Sequence, residues 1–183
     1  HTALRRQRQM CIRDRAYYET PPVIKDSSIL VCDFSFNYQT TINYINNNEK
    51  FYNIDHHQSA FDNLSDLDDK YKYFDINHSG IFLTWKYFLP NNSIPRFVKY
   101  IEDYDLWKFK YPETKPFMLA LNELPFKFNV WEKLEDSSFV DELIYKGKIL
   151  ESYQNNMVKI ICKSAKTKTQ IIDNISYKIS YVN

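Results

Sequence analysis

The chain has 183 residues, 44% of them hydrophobic and 26% charged, with a formal net charge of +1. That balance suits a globular protein with room for one domain and part of a second, and it excludes an intrinsically disordered chain. No apolar run nears the ~20 residues that cross a bilayer, and no secretory apolar core opens the chain, so the reading is cytoplasmic.

Residues 1–15, HTALRRQRQMCIRDR, hold Arg5, Arg6, Arg8, Arg13 and Arg15, whereas Arg96 is the single arginine of the remainder. Basic arms that grip phosphates have this composition. The break in usage and the likeness to translated sequencing-adapter sequence favour a non-native segment instead. Without it the chain carries 19 basic and 22 acidic side chains, a net charge of −3. Such a body is not built to coat duplex nucleic acid. Cys11, Cys32 and Cys162 share no CxxC spacing, so they read as reduced thiols and not as a disulfide framework or a zinc ribbon.

The next segments alternate. ILVCD (29–33) is an apolar run ending in an acid, and the asparagine-rich stretch 37–49 spaces Tyr38, Ile42 and Ile45 for one helical face. FYNID (51–55) and YKYFDI (71–76) repeat the apolar run that ends in or contains an acid. NHSGIFLTWKYFLP (77–90) opens with capping residues and stops at Pro90, as a helix does; its Trp85, Tyr87 and Phe88 read as core packing. This alternation predicts an α/β fold, a parallel sheet flanked by helices.

PRFVKYIEDYDLW (95–107) opens with a proline suited to a first helical turn. A long amphipathic stretch at about 138–164 reads as a connecting helix, and TQIIDNISYKISYVN (169–183) as a strand pair. The expected organisation is an α/β domain over 16–135, a connecting helix over 136–166, and the start of a second α/β domain over 167–183.

Asp33 and Asp55 fall at the carboxyl ends of the first two predicted strands, where loops diverge and leave a crevice. His56 and His57 follow at once. Mixed oxygen and nitrogen donors suit Mn²⁺, Fe²⁺ or Zn²⁺ better than Ca²⁺. A lone aspartate after a strand is more often a turn former. The triplet Asp-His-His is more specific, because adjacent ionisable groups at a sheet edge need a cation or a substrate to compensate them. Ser79 and Gly80 begin a helix whose free amides can hold a phosphate, though plain capping explains them nearly as well.

Asp55-His56-His57 matches the signature of the DHH phosphoesterase superfamily, which the chain resembles. ILVCDFSF looks like that family's second aspartate motif, and DINHSGIFLTWKYF like its serine-glycine helix. IEDYDLW (101–107) looks like the fourth motif of one branch. The resemblance implies a two-metal phosphohydrolase using Mn²⁺, with Mg²⁺ or Co²⁺ as substitutes, in an intact protein that can form a homodimer. Its substrate would be a nucleotide or a short single-stranded oligonucleotide, with neither duplex DNA nor a membrane as partner. By carry-over Asp33 bridges the metals, and His56 and Asp103 are ligands, with Asp105 the alternative to Asp103. Asp55 orients His56, His57 faces the scissile phosphate, and Ser79 and Gly80 help to hold it.

The chain departs from the family in lacking its Asp-rich first motif and the glycine-rich motif of its second domain; the glycines are Gly80 and Gly147. The expectation is therefore a fragment with weak metal binding and little turnover. The competing expectation is a non-catalytic nucleotide-binding or interaction module that keeps the fold.

Overall fold

Short runs rich in β-branched or aromatic residues form the parallel strands β1 (Ser28–Cys32), β2 (Lys50–Asp55) and β3 (Lys72–Phe74). The computed structural model describes residues 20–181, so the basic segment 1–15 lies outside the described residues. The strand order is β1-β2-β3, with Ser28 paired to Lys50 and Asn53 to Lys72. The central strand is buried most deeply: Asn53, Ile54 and Asp55 have no exposed surface. The expected α/β architecture with a parallel sheet is present.

Helix α1 (Tyr38–Asn47) joins β1 to β2, and the Asn37 side chain caps it by accepting from the Thr40 N–H at 2.9 Å. Thr41 and Tyr44 face the core, not the expected Tyr38, which stays 43% exposed. The reason is hydrogen bonding: Tyr44 donates its hydroxyl to the Pro22 carbonyl at 2.7 Å, so a polar-tipped ring can be buried. It packs with Val31 and Phe51, and Phe34, Phe36 and Ile45 close the cluster.

The short α2 (Gln58–Asn63) follows β2, and α3 (Gly80–Phe88) follows β3. Ser79 caps α3, which ends before Pro90 as predicted. Only Gly80 and Leu83 of α3 are buried, while Tyr87 and Phe88 are 44% and 56% exposed. The expected aromatic core stripe is thus partly a surface stripe, with Tyr87 stacked on Tyr52 at 4.9 Å.

The chain divides into two compact units, up to Asn92 and from Ser93. The expected boundaries at 135 and 166 fall inside the second unit. It contains α4 (Arg96–Asp105), α5 (Thr114–Leu121), α6 (Phe128–Trp131) and α7 (Ser137–Ser164). Its core gathers Tyr100, Phe117, Leu121, Leu134, Val140 and Leu143. α5 lies directly along α7, because a Cβ at Gly147 would collide with the Pro116 carbonyl. Beyond Gly147 the apolar positions of α7 are uncovered, with Ile149 57% and Tyr153 65% exposed.

An antiparallel hairpin, β4 (Lys166–Ile172) and β5 (Ile175–Tyr181), ends the described chain. Asp173 and Asn174 turn it with positive φ at both positions, the combination that matches the twist of paired strands. No described helix is long and apolar enough to cross a membrane.

Candidate metal centre

The site lies where β1 and β2 end side by side. Asp33 still belongs to the ladder, since its N–H donates to the Ile54 carbonyl at 2.9 Å. Its φ of 56° then turns the chain out of the sheet and leaves the carboxylate 55% exposed. Aspartate tolerates this left-handed backbone better than most residues, and such conformations cluster at functional sites.

One register step away, Asp55 is fully buried and its carboxylate is heavily engaged. Oδ1 accepts from the His56 N–H at 2.7 Å and the His57 N–H at 3.3 Å, and it takes the His57 ring Nδ1–H at 2.7 Å. Oδ2 accepts from Ser35 Oγ at 2.5 Å, and Ser35 Oγ in turn accepts from Asn53 Nδ2 at 2.8 Å. Against a carboxylate the His57 Nδ1 is the donor, so Asp55 holds the ring by that nitrogen. The expectation placed Asp55 behind the His56 ring. In the structure its carboxylate contacts the His57 ring and meets His56 through the backbone.

His56 turns the other way. Its Nε2 lies 3.1 Å from Asp33 Oδ1, with the ring only 10% exposed. About 3 Å is the spacing two donor atoms take at right angles around an ion about 2.1 Å from each. The His56 and His57 rings have centroids 4.5 Å apart. One ligand atom from each of Asp33, His56 and His57 lies within 4.8 Å of the others. One carboxylate and two imidazoles form a donor set that fits Mn²⁺, Fe²⁺ or Zn²⁺. Next to Asp33, burial pushes the Cys32 thiol up, and the Asp33 and Asp55 charges push it further, so it stays a neutral neighbour.

Helix α3 closes on the same point. A Cβ on Gly80 would strike the Asp33 carboxylate, so glycine is what lets the first turn of α3 lie against that group. A helix N-terminus favours negative charge there. Ser79 is 1% exposed, and its hydroxyl is used as the cap, accepting from the Phe82 N–H at 3.4 Å. His78 stacks on Phe82 at 4.0 Å.

Asp103 belongs to the second unit, 3% exposed at the end of α4. Its Oδ2 accepts from Thr114 Oγ1 at 2.5 Å and the Tyr111 N–H at 3.3 Å, and Oδ1 from the Lys110 N–H at 2.8 Å. Burial alone pushes this carboxyl up. The hydrogen bonds from Thr114, Lys110 and Tyr111 outweigh that, so the net direction is below the ordinary value. These contacts make the carboxylate an anchor of the turn after α4. Asp105, the alternative, is exposed.

Ser35 and Asn53 are site residues that the sequence reading missed. An asparagine inside an otherwise apolar buried run was the available signal, since a buried amide needs a partner.

No family model and no solved structure matches the chain. Among curated proteins it is similar to an uncharacterized protein of Acanthamoeba polyphaga mimivirus, 35% identical over 159 residues, covering 87% of this chain. The chain spans 37% of that relative's length.

Proposed function

We propose that this chain carries the metal-binding face of a phosphohydrolase of the DHH type, acting on a nucleotide or a short single-stranded oligonucleotide with Mn²⁺ as the cation. The observation that supports the reading most is the meeting of Asp33, His56 and His57 donor atoms within 4.8 Å at two adjacent strand ends. The buried Asp55 carboxylate on His57 Nδ1 adds to it.

In this reading Asp33 and His56 hold the cation, and His57 completes the set or faces the phosphate. When bound, a divalent cation supplies positive charge toward the phosphoryl oxygens and makes water more acidic. His57, whose side chain is 39% exposed, presents Nε2 to a phosphoryl oxygen. Asp55 holds the opposite nitrogen, stabilises the imidazolium when Nε2 carries a proton, and keeps the ring from turning. Gly80 keeps the α3 amides close to the anion-binding face. Asp103, the further ligand that the resemblance implies, lies in the second unit, and this reading does not depend on it.

The test is Mn²⁺ titration by calorimetry or electron paramagnetic resonance, alongside hydrolysis of a generic phosphodiester. Wild type should bind Mn²⁺, and Asp33→Ala and His56→Ala should each remove that binding. A wild type that holds no divalent cation, or an Asp33→Ala variant with unchanged affinity, would defeat the reading. Binding without turnover would leave a nucleotide-binding module on the same fold.

A further inference from the structure

Beside the metal centre the first unit has a cavity of about 310 Å³. Most of its wall comes from the stretches downstream of the candidate ligands, Phe34 to Asn37 after Asp33 and Ser59, Ala60 and Asn63 after His57, and Pro21 completes it. No charged side chain lines it. Ser35 belongs to both places, since the residue that walls the cavity also donates to Asp55, and Asp55 grips His57.

The lining separates the chemistries. Phe34 and Phe36 meet edge to face at 5.0 Å and, with Ala60, give an apolar and aromatic wall. The side chains of Ser59 and Asn63 are exposed and hydrogen-bond to no described residue, so an amide and a hydroxyl stand ready at the rim. With no cationic side chain in the lining, nothing there adds charge attraction for a phosphate. Aromatic walls with a few amide and hydroxyl groups suit a flat, neutral heterocycle. The volume lies at the small end of the ~300 to 1,000 Å³ that ligand sites span, enough for one such ring system.

We infer that this cavity receives the base of a nucleotide whose phosphate lies on the Asp33, His56 and His57 face. Ser59 and Asn63 then decide which base is accepted. The inference rests on the proposed phosphohydrolase reading for the placement of the phosphate, and on the cavity alone for the base.

The test compares three probes with saturating Mn²⁺: the four nucleoside 5′-monophosphates, the matching nucleosides, and inorganic phosphate. At least one monophosphate should bind wild type about tenfold or more tightly than phosphate does, the gain that base stacking and rim contacts provide. Ser59→Phe, an exposed position whose ring enters the cavity, should bring that monophosphate to within about twofold of phosphate, with phosphate binding itself unchanged. Asn63→Ala should change the ranking of the four bases. Equal binding of monophosphates and phosphate by wild type overturns the inference, as does a gain that survives Ser59→Phe. Nucleoside binding that Ser59→Phe removes, in a protein that binds neither Mn²⁺ nor phosphate, would support the cavity and sink the phosphohydrolase reading instead.

Discussion

Asp55 and Asp103 are the aspartates that the fold buries among the described residues, at 0% and 3% exposure. They are bound almost alike. Each accepts from a hydroxyl at 2.5 Å, Ser35 for one and Thr114 for the other, and each takes two backbone N–H groups. The difference is one partner. Asp55 also holds a half-exposed imidazole, whereas the hydrogen-bond donors to Asp103 belong to the turn after α4 and to the helix that follows. A buried, satisfied carboxylate is therefore no mark of function by itself; what it orients decides whether it serves chemistry or folding.

The sharpest way to break that comparison is Asp103→Ala. It strands the buried Thr114 Oγ1 and takes the acceptor from two part-buried N–H groups, which costs about 2 to 3 kcal/mol. Urea unfolding should show the loss while Mn²⁺ affinity stays near the wild-type value. The turn that Asp103 anchors adds to the stake, since Trp107 and Phe109 within it both have positive φ, a strained state for bulky residues. If Mn²⁺ affinity falls as it does in Asp33→Ala, Asp103 is a ligand after all.

Asp55→Asn is the mirror experiment. An amide keeps the volume but can offer a hydrogen to His57 Nδ1, which favours the wrong tautomer. Metal affinity or hydrolysis should drop about 10- to 100-fold, with a smaller change in unfolding free energy than Asp103→Ala produces. A variant that loses stability and keeps function would make Asp55 a second structural acid and erase the distinction.

Gly80→Ala tests how close the metal face is to α3. Gly80 opens α3, so the propensity that alanine gains in a helix interior counts for little there, and stability should fall modestly with the collision. The added methyl meets the Asp33 carboxylate and must move it. Mn²⁺ affinity should fall by about tenfold, the effect of misplacing one ligand. Unchanged affinity would mean that the carboxylate can swing clear at no cost.

The strands, the ends that carry Asp33 and Asp55, and the bounds of α7 were legible because they depend on local patterns: apolar runs of strand length and a 3.6-residue period. The partners of the acids were less so. Ser35 and Asn53 stand 20 and 18 residues from the groups they bond, and only the parallel register of β1 and β2 brings them together. Thr41 and Tyr44 were passed over for Tyr38 and Ile42 because apolar counting ignores polar residues that bury with a hydrogen bond. Motif order pointed to Asp103 but carried no sign of its anchoring role, since Thr114 and the N–H groups of Lys110 and Tyr111 lie seven to eleven residues downstream.

Acid titration gives the smallest and most specific contrast. The folded Asp103 carboxyl lies below its ordinary value, held there by Thr114 and two N–H groups against the upward push of burial. In the unfolded chain it returns to about 3.9. Between the two values the unfolded state binds more protons, so stability falls as pH falls. The contribution is fully present above about pH 3.9 and is lost as pH drops through the folded value. Asp103→Asn cannot titrate, so its urea midpoint should fall less steeply below about pH 4 than that of wild type, from a lower starting point. Parallel acid limbs for the two proteins would show that the hydrogen bonds to Asp103 do not favour its charged form, and the turn would then need another anchor.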